Sequence, residues 1–193
     1  MRTTLIICVL GLLTGCKNKA DNRAQAGQRT NTDIANDFID AFYSFNRDSL
    51  QVILTDAPAA QPEILYYQKW AECAHYQVLN RAHYFEKNDS TVLFPVTVKD
   101  DLMAALQIDF NVTDTFHITI QNKRITQVAT SSNDPEVYHQ AKEWVNQNRP
   151  DLVKKACEGI WQGGPTPCEC AQGVLKGFSE FVRDKELSRR KKS

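Results

Sequence analysis

The strongest constraint on the fold is an alternation of apolar and polar residues through the middle of the chain. Apolar residues occupy every second position in 92–98, 106–112 and 116–120. This is the period of a β-strand with one covered face and one wetter face. Turn-forming pairs separate the segments: Asn88-Asp89, Asp100-Asp101, Thr113-Asp114 and Asn122-Lys123. Together with the runs 76–87 and 124–130, the pattern predicts a five-stranded antiparallel meander.

Two segments with helical spacing precede this sheet. The first begins at a cap, Thr32 or Asp33, and its apolar stripe consists of Ile34, Phe38, Phe42 and Phe45. After a short apolar piece at 50–54, a second helix is predicted for 61–75. Its apolar face carries Ile64, Tyr67, Ala71 and Ala74. Trp70 and Cys73 lie on a neighbouring face, so we expect this cysteine near the core.

Further helices follow the sheet. Asp134-Pro135-Glu136 is typical of a helix start, with a cap, a proline at the first position and an acid at the positive end of the helix dipole. Pro150 ends that helix, and 151–157 forms another turn or two. A terminal helix is predicted from its apolar side, which carries Ala171, Val174, Leu175, Phe178, Phe181 and Val182.

The amino terminus has the pattern of an export signal. A positive Arg2 precedes an unbroken apolar run at 5–13, which is shorter than the roughly 20 residues of a membrane-spanning helix. Leu13-Thr14-Gly15-Cys16 resembles the lipobox of bacterial lipoproteins, so we expect a signal peptide at 1–15 and lipidation, palmitate included, of Cys16. The alternative is an ordinary secretory signal with a cysteine at the cleavage point.

Lipidation of Cys16 would make the membrane a partner through a covalent anchor, since two or more acyl chains hold firmly. Lys17 is not the aspartate that commonly retains such proteins at the inner membrane, which favours the outer membrane of a Gram-negative envelope. Residues 17–31 contain no aromatic and no large aliphatic side chain. Such a segment cannot bury enough apolar surface to order itself, so 16–31 is predicted to be a lipidated, flexible tether.

Four cysteines remain in the mature chain after Cys16: Cys73, Cys157, Cys168 and Cys170. An even count in an exported chain favours disulfides. A bridge between Cys168 and Cys170 would close a strained ring across one residue, so we expect Cys73 and Cys157 each to pair with one of these two. The alternative is a metal site made of Cys168 and Cys170 with Cys73 and His75, although the Cys-x-x-Cys spacing of a structural zinc site is absent. No metal and no cofactor is predicted.

Composition restricts the range of functions. The formal net charge is zero, which argues against a nucleic-acid partner. The sequence contains no internal repeat, no glycine-rich phosphate loop and no recognisable Ser/His/Asp arrangement. The basic end at 189–192 is interpreted as a solvated terminus.

Two stretches carry a resemblance to a known superfamily. The helix at 34–45 resembles the opening helix of the nuclear transport factor 2-like superfamily, which includes the SnoaL-like polyketide cyclases. Residues 116–128 are similar to its closing hairpin, where a strand ends in a polar turn and returns as Lys/Arg-Ile-x-x-Val. The resemblance covers about 32–148 and implies an α+β fold, with a curved antiparallel sheet whose concave face meets helices in a cone.

The predicted organisation therefore has four parts: a signal peptide at 1–15, a tether at 16–31, a cone domain at 32–157, and a cysteine-containing loop with a helix at 158–193. The last part departs from the minimal family pattern. We expect it to be an added C-terminal extension that disulfides fasten to the second helix.

Candidate site residues follow from strand parity and from the family. Asp109 and His117 share faces with polar residues, which places them on the surface. His83 is the weak candidate for a catalytic acid or base, with a tyrosine or aspartate as helper. An aromatic group is expected at the mouth of the cone and could bind a ligand: Tyr66, Tyr67, Trp70 and Tyr84, with Tyr76 nearby.

Two functions of different classes remain. The first is a lipid-anchored binding or interaction module for a small apolar ligand or a partner protein, with a homodimer possible. The alternative is an acid–base lyase or isomerase of the SnoaL-like type. A polar pair pointing into the cone would favour the enzyme, and the sequence offers only a lone candidate, so more weight falls on binding.

Overall fold

The computed structural model describes residues 29–81, 85–88, 90–159 and 167–191. The predicted signal peptide, Cys16, nearly all of the tether, His83 and Tyr84 lie outside these ranges. The elements in chain order are α1 (Asn31–Tyr43), α2 (Arg47–Ile53), α3 (Gln61–Cys73), β1 (Gln77–Arg81), β2 (Phe85–Asn88), β3 (Thr91–Lys99), α4 (Asp101–Ala105), β4 (Val112–Gln121), β5 (Arg124–Ser132), α5 (Glu136–Asn148), α6 (Pro150–Val153) and α7 (Pro167–Arg190).

The strands form one antiparallel sheet, as the alternation predicted. Its order is β1-β3-β4-β5, and β2 also pairs with β3. β1 pairs with the Val96–Lys99 end of β3 and β2 with its Thr91–Leu93 end. The predicted strand at 76–87 is therefore two strands along one edge of β3, and five strands occupy four positions across the sheet.

The predicted strand at 106–112 is wrong. In its place, 106–107 form a turn after α4 and 108–111 belong to no helix or strand, while Val112 is the first residue of β4. Asp100 begins α4, because its Oδ1 accepts a hydrogen bond of 2.9 Å from the Met103 amide. Burial of Leu106 follows from packing at the end of this helix. The predicted turn at Thr113-Asp114 is also wrong, since β4 runs straight through it.

The helix α1 covers the apolar face of the sheet. Its Phe38 and Phe42 rings lie 5.6 and 4.9 Å from the ring of Phe116 on β4. The cap of α1 is Thr30 rather than the predicted Thr32 or Asp33, and Asp33 supplies the reciprocal bond of a capping box. The same face carries the alternating core residues of β3 and β4: Val92, Phe94, Val96, Val98, Phe116, Ile118 and Ile120.

The C-terminal helix is fastened to the rest of the domain by the predicted disulfides. Cys73 at the end of α3 is bonded to Cys168, and Cys157 is bonded to Cys170. Cys168 and Cys170 both lie in the first turn of α7. Along α7, Gly173 lies so close to α6 that an added Cβ would be 2.2 Å from the Leu152 carbonyl oxygen. These contacts fix α7 against α3 and α6. Within the described ranges, no helix is both long and apolar enough to span a bilayer.

Candidate functional site

A cavity of about 610 Å³ lies between the Asp114 end of the sheet and the helices α3, α4, α5 and α7. Its walls come from elements that are distant in sequence, and the Cys157–Cys170 bridge lies in its lining. The rim consists of the exposed lining residues, which lie on α3, on β5 and in the α5–α6 region: Glu63, Ser131, Ser132, Lys142, Asn146 and Lys154. A cavity of this size accommodates a small organic molecule.

Aromatic and aliphatic side chains make up half of the lining residues. The Tyr67 and Tyr76 rings meet edge to face at 6.4 Å, and the Tyr138 and Phe178 rings do so at 5.3 Å. The aliphatic part of the lining comes from α4, β4 and the three C-terminal helices: Leu102, Met103, Val112, Val145, Val153 and Val174. Such a wall favours an apolar ligand body.

The predicted aromatic group is partly assembled here. Tyr67, Trp70 and Tyr76 line the cavity, whereas Tyr66, half-buried on α3, is not part of its lining. Tyr84 and the catalytic candidate His83 lie outside the described residues.

Asp114 is the one fully buried acid in the lining described by the structure, and the sequence analysis missed it. It lies on the apolar face of β4, opposite Val96 on β3 and Ser132 on β5, and is only 2 % exposed. A visible signal existed: Val112, Asp114, Phe116 and Ile118 share one parity, so an acid interrupts an apolar stripe. Placing a turn at Thr113-Asp114 concealed it.

The environment of Asp114 disfavours its charge. Burial is the main cause that raises the pKa of this carboxyl to about 6, and the nearby carboxylates of Asp134 and Asp100 act in the same direction. Hydrogen bonding from Tyr67 and Ser132 has the opposite, smaller effect. The carboxyl group of Asp114 therefore loses its proton at a pH closer to neutrality than that of an exposed aspartate.

Three buried side-chain oxygens have no hydrogen-bond partner within the described ranges: Asp114 Oδ2, Asp100 Oδ2 and the Tyr43 hydroxyl. All three belong to one region, because the charge of Asp114 acts on both Tyr43 and Asp100. An unpaired buried polar atom costs about 1–3 kcal/mol. Of the three residues, only Asp114 lines the cavity.

The surrounding tyrosines keep their protons. Burial is the main cause that raises the pKa of Tyr43, Tyr67, Tyr76 and Tyr138, and the charge of Asp114 raises each further. Their hydroxyls are therefore neutral at physiological pH, and each can still donate a hydrogen bond.

The other two candidates lie elsewhere. Asp109 is exposed, as expected, but it lies in the segment that was wrongly predicted as a strand. It is therefore exposed because it belongs to a loop, and not because of strand parity. His117 lies on the face of β4 opposite Phe116 and Ile118, where its Nε2 is 3.0 Å from Ser131 Oγ. Asp109 and His117 therefore do not meet across one enclosed pocket.

A cysteine metal site does not form in the described part of the chain. All four of its cysteines are in disulfides, and no group of three or more His, Cys, Asp or Glu side chains there could hold a metal ion. His75 instead approaches Asp101, with Nδ1 2.6 Å from Oδ2.

Comparison with known proteins gives no relative: no family model, no curated protein and no solved structure matches this chain.

Proposed function

We propose that the domain binds a small, largely apolar molecule in the cavity around Asp114. The observation that carries the proposal is the lining, which joins aromatic and aliphatic residues from several elements to a buried carboxyl group, that of Asp114. A predominantly apolar pocket with a few convergent polar groups is the usual form of a small-molecule site.

We also propose that the domain belongs to the nuclear transport factor 2-like superfamily and that its sheet curves into a cone, as the sequence resemblance implies. This proposal is supported by helices α1 and α3 preceding an antiparallel sheet, and by a cavity at the end of that sheet. The pattern at 1–16 supports an exported lipoprotein anchored through Cys16 in the outer membrane. The domain would then bind its ligand at the envelope, on a tether that ends at α1.

A pair of bulky substitutions on β5 tests the binding proposal. Thr130 lines the cavity and is half-buried, so Thr130→Trp would fill the space without replacing a core residue. Thr126, on the same strand and also half-buried, does not line it, and Thr126→Trp is the matched control. We expect 4-phenylbutan-1-ol to bind the wild type and Thr126→Trp, as seen by saturation-transfer NMR, and to bind Thr130→Trp at least tenfold more weakly. Equal binding by both variants would contradict the proposal.

The second candidate function is acid–base catalysis, favoured by one observation. The Asp114 carboxyl group, with its pKa raised to about 6, lies beside the neutral Tyr67 hydroxyl in the same cavity. A base with a pKa near the working pH and a nearby proton donor are what such catalysis needs. Asp114 and Tyr67 thus replace His83 and its helper as the pair to test.

Enolisation of a simple ketone tests the catalytic alternative without knowledge of the substrate. Asp114 would remove an α-proton of 4-phenylbutan-2-one while Tyr67 hydrogen-bonds the enolate oxygen, and a solvent deuteron would then return to carbon. If the domain is an enzyme, exchange in D2O at pH 7 should fall about 100-fold in Asp114→Asn and persist in His83→Gln. Exchange no faster than in buffer would leave binding as the function.

A further inference from the structure

We propose that the molecule bound in this cavity carries a cationic amino group, and that this group binds at Asp114. The proposal rests on the proposed function and specifies its ligand: an alkylamine with an apolar, aromatic or branched body. A carboxylic acid is therefore excluded as the ligand, and an alcohol is expected to bind Asp114 more weakly than the amine.

The first argument is the state of Asp114 itself. Its side chain lines the cavity, is 98 % buried, and Oδ2 has no hydrogen-bond partner in the described ranges. Evolution of a stable core would favour an apolar side chain at this position in β4, where the residues on the same face are valine, phenylalanine and isoleucine. A cationic group bound beside Asp114 would offset the cost of burying this carboxylate.

The second argument is the sign of the local charge. Asp100 and Asp134 lie near enough to Asp114 to oppose its ionisation, and Asp134 also lines the cavity. Among the described residues, no lysine, arginine or histidine forms an ion pair with any of these three acids, although eight such pairs occur there on other residues. A neutral hydroxyl of a ligand would donate a hydrogen bond to the carboxyl group but would leave this negative potential uncompensated. An ammonium group would donate the hydrogen bond and also compensate the negative potential.

The third argument is the wall around the carboxyl group. Tyr67, Tyr76 and Tyr138 all line the cavity, and the charge of Asp114 acts on each of them. Neutral aromatic rings attract a cation through their electron-rich faces. They provide no positive charge for an anion. The lysines of the lining, Lys142 and Lys154, are exposed, and neither is among the main charges that act on the Asp114 carboxyl.

Three probes that differ only in their end group test this ligand class: 4-phenylbutan-1-amine, 4-phenylbutan-1-ol and 4-phenylbutanoate. Their dissociation constants are measured by calorimetry at pH 7 with the purified full-length chain. The comparison uses the wild type, Asp114→Asn, and the matched control Asp109→Asn, which removes an exposed acid outside the cavity. We expect the amine to bind at least about tenfold more tightly than the alcohol, and the acid to bind most weakly, because a charge-assisted hydrogen bond is about twice as strong as a neutral one.

The amine preference should disappear in Asp114→Asn and survive in Asp109→Asn. Asp134→Asn, which changes a half-buried acid of the same lining, should reduce the preference without abolishing it, and it provides a second variant if Asp114→Asn does not fold. Equal affinity for amine and alcohol, a preference that persists in Asp114→Asn, or tightest binding of the acid would overturn this proposal and leave the small-molecule site in place. Failure of all three probes to bind the wild type would instead overturn the proposed function, and this inference with it.

Discussion

Replacement of Asp114 by asparagine should make the protein more stable at neutral pH. The substitution keeps the shape of the side chain and removes its charge. Burial raises the pKa from 3.8 to about 6, which is a shift of roughly two units, and one unit corresponds to about 1.4 kcal/mol. Ionisation of Asp114 therefore lowers the free energy of unfolding of the wild type by about 3 kcal/mol at pH 7.

The sign follows from proton binding in the two states. Between pH 4 and pH 6 the folded protein holds a proton on Asp114 that the unfolded chain has already lost, so this residue makes stability fall as pH rises through that window. Asparagine does not titrate. The stability advantage of Asp114→Asn should therefore be small at pH 4 and grow by about 2–3 kcal/mol by pH 7.5.

Urea unfolding followed by circular dichroism at pH 4 and pH 7.5 measures this difference, with the disulfides intact and Asp109→Asn as the control. The exposed control should change stability by less than about 0.5 kcal/mol at either pH. An Asp114→Asn variant that is less stable than the wild type at pH 7.5, or whose advantage is independent of pH, would refute the argument. A confirmed gain would mean that the chain keeps a destabilising acid at this position, as functional sites commonly do.

Other predictions concern the scaffold and the anchor. Removing the Cys73–Cys168 bridge by double alanine substitution should lower the free energy of unfolding by about 4–5 kcal/mol, because this bridge closes a segment of 95 residues. Removing Cys157–Cys170, which closes a segment of 13 residues, should lower it by about 3 kcal/mol. Equal losses of stability in urea unfolding would contradict the loop-entropy explanation. Gly173→Ala should destabilise by about 1–3 kcal/mol through the clash with the Leu152 carbonyl oxygen, whereas Ser179→Ala, exposed on the same helix, should not; a neutral Gly173→Ala would show that α7 can move away from α6. Cys16→Ala should abolish labelling with radioactive palmitate, and continued labelling would disprove the anchor.

Much of the scaffold could be predicted from local patterns. The helices α1 and α3 follow from apolar residues at helical spacing, and the strand β3 from a clean period of two. Because neighbouring Cys168 and Cys170 bond poorly to each other, a local constraint also predicted that Cys73 and Cys157 each pair with one of them, but not which pairs with which. These features depend on interactions within a few residues, so sequence alone carries them.

The segment from Asp100 to Asp114 could not be assigned in the same way. Its apolar residues at 106, 108 and 110 have the period of a strand, but the cap at Asp100 and the packing of Leu102 and Met103 favour a short helix. Tertiary packing overrides a weak local preference in such cases. The error displaced the start of β4 and hid Asp114, although this acid interrupts the apolar stripe of that strand. Its hydrogen bonds with Tyr67 of α3 and Ser132 of β5 depend on tertiary structure, which no local pattern encodes.

The most direct test of the proposed site is to map where a small apolar molecule binds. Resonances of the isotope-labelled protein would be recorded while 4-phenylbutan-1-ol is added. The account predicts that the largest shifts occur at Tyr67, Asp114, Tyr138 and Phe178, which line one cavity from four different elements, and that Thr130→Trp removes them. Shifts that cluster instead on the opposite face of the sheet, around His117, or that persist unchanged in Thr130→Trp, would contradict it.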